Sequence, residues 1–230
     1  MERRIDNIKA VMLDIDNTLL DFHKSAEFAM EVAFKNHGLE FRPGYIKIFH
    51  EINDGLWQEI EKGTLTRERL WEIRFNKVLS ALGLKGDGPK IEAEFRKILF
   101  DCAFLMDGAK ELLEYLFGKY KIYAATNAIY HQQINRLTKA GIIKYFDNVF
   151  VSEKIGYQKP TKAFFDCCFS EIDKITPKET VMIGDSLTAD IEGGLNYGMQ
   201  TIWFNKDKKP FGDIMPHFTI CSLNQVKELL

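Results

Sequence analysis

Cysteine is scarce, with four residues in a chain of 230. Cys102, Cys167, Cys168 and Cys221 include no Cys-x-x-Cys pair, and the adjacent Cys167 and Cys168 are poorly placed to bond each other. The thiols are therefore expected to be reduced, as in a cytoplasmic protein. Long apolar runs are also missing. None approaches the ~18–20 residues of a membrane span. The segment Met1-Glu2-Arg3-Arg4-Ile5-Asp6 has no apolar stretch of the kind a signal peptide carries. Excess charge of either sign is absent too, the formal net charge being -2. That balance argues against a surface dedicated to nucleic acid. The short basic run Lys206-Asp207-Lys208-Lys209 reads as a solvated loop. There is no internal repeat and no low-complexity segment.

What is present is apolar material for a sizeable core, 46% of the residues. The length allows one large domain, or a core domain with a smaller one inserted. Ile8 and then Ala10 through Leu13 form an almost unbroken apolar run, as expected of a strand buried on both faces of a parallel sheet. It ends in Asp14-Ile15-Asp16-Asn17-Thr18. Open α/β sheets place ligands at the carboxyl ends of their strands. On an extended strand, Asp14 and Asp16 would point to opposite faces. If the chain turns at Ile15, both reach one small volume, where Asp14 could attack and Asp16 could handle protons. The pentad alone is equally compatible with an acidic turn in which Thr18 caps the next element.

Behind this strand the spacing predicts four helices with no strand between them. Their apolar stripes are Ala26-Ala29-Met30-Ala33-Phe34, Tyr45-Ile48-Phe49-Ile52-Leu56, Trp71-Phe75-Val78-Leu79-Leu82 and Ile91-Phe95-Ile98-Leu99-Cys102. Such helices bury their stripes only against each other, as a bundle. Thr66 is a candidate N-cap. Trp57 is expected to pack within the bundle, His23 to lie on a helix surface, and Arg69 and Arg74 to be solvated. From about Asp107 helices and strands alternate. The strands are Lys121–Thr126, Asn148–Val151, Thr180–Gly184, Gln200–Phe204 and a short edge strand near His217–Ile220. Leu112, Leu113, Leu116 and Phe117 form one helical face, Ile134 and Leu137 face inward on another, and Pro160 opens a third helix. The alternation predicts an α/β fold, a doubly wound parallel sheet with an inserted helical bundle. The expected division is a core of residues 1–20 and 104–230 and a helical domain of residues 21–103.

Right-handed crossovers bring the strand ends to one edge. Asp14, Asp16, Thr126, Asn127, Asp185 and Asp190 collect there, with Lys159 on a nearby loop. Several carboxylates in one cleft repel each other unless a cation binds them. An all-oxygen set without Cys or His favours Mg²⁺ over zinc. A phosphate dianion would complete the balance, held by Lys159, Thr126 and Asn127.

Four stretches in this order carry a family resemblance: Asp14-Ile-Asp-Asn-Thr18, Thr126-Asn127, Lys159-Pro160 and Gly184-Asp185-Ser-Leu-Thr-Ala-Asp190. The chain resembles the haloacid-dehalogenase-like superfamily of phosphohydrolases, and the helical insertion looks like that family's type-1 cap. The resemblance implies that Asp14 is the nucleophile, forming an aspartyl-phosphate, and that Asp16 is the general acid and then the general base. It implies that Asp14, the main-chain carbonyl of Asp16 and Asp185 hold Mg²⁺. Thr126, Asn127 and Lys159 would bind the phosphoryl group, and Asp190 would orient Lys159 or a metal-held water. The dehalogenases of the superfamily lack an acid at the second position, because a halide leaves without a proton; Asp16 therefore favours a phosphatase.

Asp14 through Phe22, Glu61 through Arg69 with Arg74-Phe75, and Ser152 through Pro160 look most like bacterial pyrimidine 5′-nucleotidases. Asn17 and Ala128 depart from residues common in relatives, and neither change removes a catalytic group. The expectation is a Mg²⁺-dependent nucleoside 5′-monophosphatase, a monomer or homodimer, acting on a small phosphorylated metabolite. It would bind neither nucleic acid polymers nor membranes. The alternatives are a sugar-phosphate or phosphoglycolate phosphatase, a phosphomutase, and a non-catalytic phosphate-binding module.

Overall fold

The computed structural model describes residues 4–210 and 212–230. Met1, Glu2 and Arg3 of the N-terminal segment read above, and Phe211, lie outside them. The elements run β1 (Ala10–Leu13), α1 (Phe22–Asn36), α2 (Tyr45–Glu61), α3 (Arg67–Leu82), α4 (Gly88–Leu99), α5 (Ala109–Leu116), β2 (Lys121–Thr126), α6 (Tyr130–Lys139), β3 (Asn148–Val151), α7 (Ser152–Ile155), α8 (Lys162–Ser170), β4 (Thr180–Gly184), α9 (Gly193–Tyr197), β5 (Gln200–Phe204), β6 (Phe218–Ile220) and α10 (Val226–Leu229). Among the described residues the six strands form one sheet in the order β3-β2-β1-β4-β5-β6, with every neighbouring pair parallel. This is the doubly wound α/β fold with a helical insertion.

The unbroken apolar run of β1 now has its reason. Val11 and Leu13 face a core that includes Leu112, Leu113 and Ile122, while Ala10 and Met12 face Phe164 and Phe165 on the other side. A strand covered on both faces needs apolar side chains at both parities. From β1 the chain goes outward through β2 and β3, then returns to β4 on the opposite side of β1. That reversal makes the carboxyl ends of β1 and its neighbours the place where this class of sheet holds its ligands.

Two compact units result, Met1–Asp21 with Leu105–Leu230, and Phe22–Phe104. The helical unit is built on Phe34, Phe49, Phe75 and Phe95, all fully buried. Each such ring contributes about 1.5–3 kcal/mol by leaving water. Thr66 caps α3 by accepting from the Arg69 N–H, and Gly83 ends it in the left-handed region. Arg74 corrects an expectation. It is buried, not solvated, and donates from Nε and Nη2 to Glu92 at 3.0 and 2.6 Å and from Nη1 to Asn53 at 2.8 Å. His23 is half-buried, its ring 4.2 Å from that of His50.

Three details of the other unit also differ from the spacing argument. Helix α5 ends at Leu116, so Phe117 falls outside its face and is exposed. Pro160 does not open α8; it precedes the N-cap Thr161, and its peptide bond with Lys159 is cis. On α6 the fully buried positions are Gln133, Arg136 and Leu137, whereas Ile134 is only half-buried. No described helix is long and apolar enough to cross a membrane.

Candidate active site

The carboxyl end of β1 delivers Asp14, whose backbone N–H still donates to Ile183 of β4. Beyond it the chain turns. The carbonyl of Ile15 accepts from Thr18, Leu19 and Leu20, and Asn17 adopts a φ of 61°. Asparagine is among the few non-glycine residues that take up this left-handed geometry readily. The turn that the sequence left open is present just past β1.

Lys159 is the hub. It is 1% exposed, and its Nζ donates to Asp14 Oδ1 at 2.8 Å, Asp190 Oδ1 at 2.6 Å and the Ala125 carbonyl at 2.6 Å. All three ammonium protons are therefore used. Burial alone would lower its pKa, but Asp14 and Asp190 outweigh that effect and raise it. Asn127, one residue past β2, fixes the backbone of Lys159. Its Oδ1 accepts from the Lys159 N–H at 2.8 Å and its Nδ2 donates to the Lys159 carbonyl at 2.9 Å. Its oxygen and one amide hydrogen thereby hold the lysine loop.

A π-helical turn over Leu187–Glu192 presents Asp190. The Asp190 carboxylate takes Lys159 on one oxygen and the Ser186 N–H on the other, at 3.1 Å. Gly184 leaves room for it: a Cβ there would lie 2.1 Å from Asp190 Oδ2. Gly193 serves the same assembly, because a Cβ there would press on Pro160 and Phe165 at 3.0–3.1 Å. Asp185 directly follows β4, and its carbonyl accepts from the Trp203 indole at 2.9 Å.

Asp14, Asp185 and Asp190 can each aim one oxygen so that all three oxygens lie within 4.8 Å of one another. Burial, then the neighbouring Asp190 charge, pushes the Asp14 carboxyl up to about 7 against the pull of Lys159. Burial, followed by the charges of Asp14 and Asp190, raises Asp185 well above the ordinary carboxylate range. Among the described residues, buried Lys159 pairs with Asp14 and Asp190 while Asp185 lies beside them, so the clustered acids outnumber the buried base. Its donors are all oxygens, which fits a hard divalent cation such as Mg²⁺. The side chain of Asp16 is not part of this group. It points to α6, where Arg136 Nη1 donates to Oδ1 at 2.6 Å and Gln133 Nε2 to Oδ2 at 2.5 Å. Thr126 Oγ1 lies 3.4 Å from the same Gln133 nitrogen.

Gln133 and Arg136 were not found from the sequence. The available signal was their spacing: three residues apart, they share the inward side of α6 with Leu137.

Residues 8–198 match the model of the haloacid dehalogenase-like hydrolases. HAD-hydrolase YfnB of Bacillus subtilis is 34% identical over 223 residues, covering 96% of this chain and 95% of that protein. Its crystal structure bound to magnesium superposes with a TM-score of 0.91, covering 96% of this chain and 97% of that one. Pyrimidine 5′-nucleotidase PynA of Streptococcus pneumoniae is 35% identical over 86% of this chain and 84% of its own length. Pyrimidine 5′-nucleotidase YjjG of Escherichia coli is 28% identical over 96% of both chains. With its strand-end aspartates, buried lysine and matching relatives, the chain belongs to the haloacid dehalogenase-like hydrolases.

Proposed function

We propose that this hydrolase is a Mg²⁺-dependent phosphomonoesterase acting through an aspartyl-phosphate on Asp14, with nucleoside 5′-monophosphates as substrates. The observation that carries the reading is Asp14 held by Lys159 beside Asp185, in a cluster where the acids outnumber the base. The names of PynA and YjjG support the substrate class, and the magnesium-bound YfnB structure supports the ion. Asp14, the main-chain carbonyl of Asp16, and Asp185 would hold Mg²⁺, whose charge would offset that of the phosphoryl group. Lys159, Thr126 and the second amide hydrogen of Asn127 would bind phosphoryl oxygens, and Asp190 keeps Lys159 in place.

In the first step a carboxylate oxygen of Asp14 attacks phosphorus and the ester P–O bond breaks. Asp16 gives its proton to the leaving oxygen, which departs as an alcohol. In the second step water attacks the aspartyl-phosphate and passes its proton to Asp16. The P–O bond to Asp14 then breaks, releasing phosphate. Dividing the displacement in this way replaces one difficult step with two easier ones. The unit Phe22–Phe104 is the cap in this reading, and thiols held outside any disulfide suit an enzyme of the cytoplasm.

Phosphate release from a panel of nucleoside 5′-monophosphates and small sugar phosphates tests the assignment. Faster release from the nucleotides, dependent on Mg²⁺, is the expected result. Equal rates on both groups would remove the nucleotidase assignment. No release from any ester would favour a binding module, and transfer of phosphate within the substrate would mark a mutase.

A further inference from the structure

The geometry points to Arg136, together with Gln133, as the positioning residue of Asp16. The inference rests on the phosphatase reading above, which gives Asp16 a proton to transfer.

Three observations carry it. Asp16 is partly exposed at 30%, but its Oδ1 partner Arg136 is 1% exposed, so a guanidinium has been taken out of water to meet this carboxylate. The site also spends a second side chain there. Gln133 donates to Asp16 Oδ2, and its own Oε1 accepts from Arg136 Nη1 at 3.1 Å. The carboxyl group is thus gripped at both oxygens by two side chains that also grip each other. Finally, Gln133 Nε2 reaches Thr126 Oγ1 at 3.4 Å, so one face of α6 links Asp16 to the residue proposed to bind phosphoryl oxygens.

The donors are unequal in a way that matters. Arginine has no acceptor, so Oδ1 faces a group that can only donate. The oxygen left to carry a proton is Oδ2, on the Gln133 side. Gln133 Nε2 also only donates, but it can yield that position, because its donor is uncharged and its hydrogen bond to the carboxylate is weaker than one from a guanidinium. Arg136 therefore fixes which oxygen of Asp16 serves the leaving group, and Gln133 holds that oxygen until it is needed.

A positioning role differs from a structural one in its dependence on the leaving group. An alkyl phosphate must receive a proton as its ester bond breaks, whereas a nitrophenyl phosphate releases a stable phenolate without help. Arg136→Lys, Arg136→Met and Gln133→Leu are each assayed in a single turnover for release of the leaving group, which isolates the first step, from a nucleoside 5′-monophosphate and from p-nitrophenyl phosphate, with the fold checked by circular dichroism. General acid–base catalysis is worth roughly 10²–10⁴-fold, and losing its alignment is expected to forfeit about 10–100-fold of the first-step rate on the nucleotide. The aryl ester should lose at most a few-fold, with Arg136→Lys retaining more than Arg136→Met. Equal losses on both esters, or none on either, would overturn the proposal while leaving the phosphatase reading intact. Wild-type protein that cleaves neither ester would remove both. Should Arg136→Met fail to fold, the uncharged Gln133→Leu gives the same ratio test.

Discussion

Each compact unit buries a cation among polar partners, and the two arrangements differ in how completely its charge is met. In the helical unit, Arg74 meets one carboxylate, Glu92, in a two-pronged contact. Asn53 takes a further guanidinium hydrogen, and the rings of Phe49, Phe75 and Phe95 lie within 4.9–5.9 Å of the guanidinium carbon. The two charges of this pair cancel inside the unit. At the sheet edge, Lys159 meets Asp14 and Asp190 with Asp185 close by, so the acids outnumber the base. A balanced buried pair is a packing device. An unbalanced one is poised for an ion or a charged ligand that is not part of the chain.

That contrast orders the expected effects. Asp14→Asn is expected to lower turnover by roughly 10⁴-fold or more, because it removes the attacking group. It should leave the unfolding temperature unchanged or raised, since it relieves repulsion among the acids. Measuring both on one preparation checks the pairing, and a large loss of stability would put Asp14 among the structural charges instead.

In the helical unit the expectation reverses. Arg74→Met leaves Glu92 buried without its hydrogen-bonded partner, which should cost about 3–5 kcal/mol in a urea unfolding curve. Adding Glu92→Leu should recover most of that loss, because a balanced pair is replaceable by apolar side chains of similar volume. A double variant as weak as the single one would contradict the comparison.

Metal supplies a smaller effect. Mg²⁺ at about a hundred times its dissociation constant should stabilise the wild type by ~2.7 kcal/mol. Thermal unfolding with and without chelator reads this directly, and Asp185→Asn should abolish the increment. A shift that survives in Asp185→Asn would place the ion elsewhere.

The smallest effect belongs to an exposed pair outside both clusters. Glu179 accepts from Lys9 and from both the backbone and the hydroxyl of Thr176, which together lower its pKa from 4.5 to about 2. A depressed carboxylate contributes stability above its unfolded value and loses it as pH falls toward the folded one. Glu179→Gln should therefore narrow the stability difference between pH 4.5 and pH 2 slightly, as seen in acid melts.

The sheet was legible because burial on both faces leaves unbroken apolar runs, and β2, β3, β4 and β5 fall on the residues expected of them. The candidate site residues were legible where they end or directly follow strands, as Thr126, Asp14 and Asp185 do. Arg74 and Arg136 were not, because a charge is read as solvated unless its partner is seen. Each partner is distant in sequence: Glu92 lies 18 residues from Arg74, and Asp16 lies 120 from Arg136. A trace was nonetheless available. Leu70, Arg74 and Val78 recur every fourth residue, and Glu92 sits between Ile91 and Phe95 on an apolar stripe. A charge on a buried stripe implies a buried opposite charge.

The central claim is that Asp14 accepts a phosphoryl group while Asp16 serves the proton. Mass spectrometry of acid-quenched Asp16→Asn after mixing with a nucleoside 5′-monophosphate and Mg²⁺ examines it directly. The account predicts one added phosphoryl group on the peptide that contains Asp14, together with slowed turnover. An unmodified peptide with turnover equal to that of the wild type would contradict it.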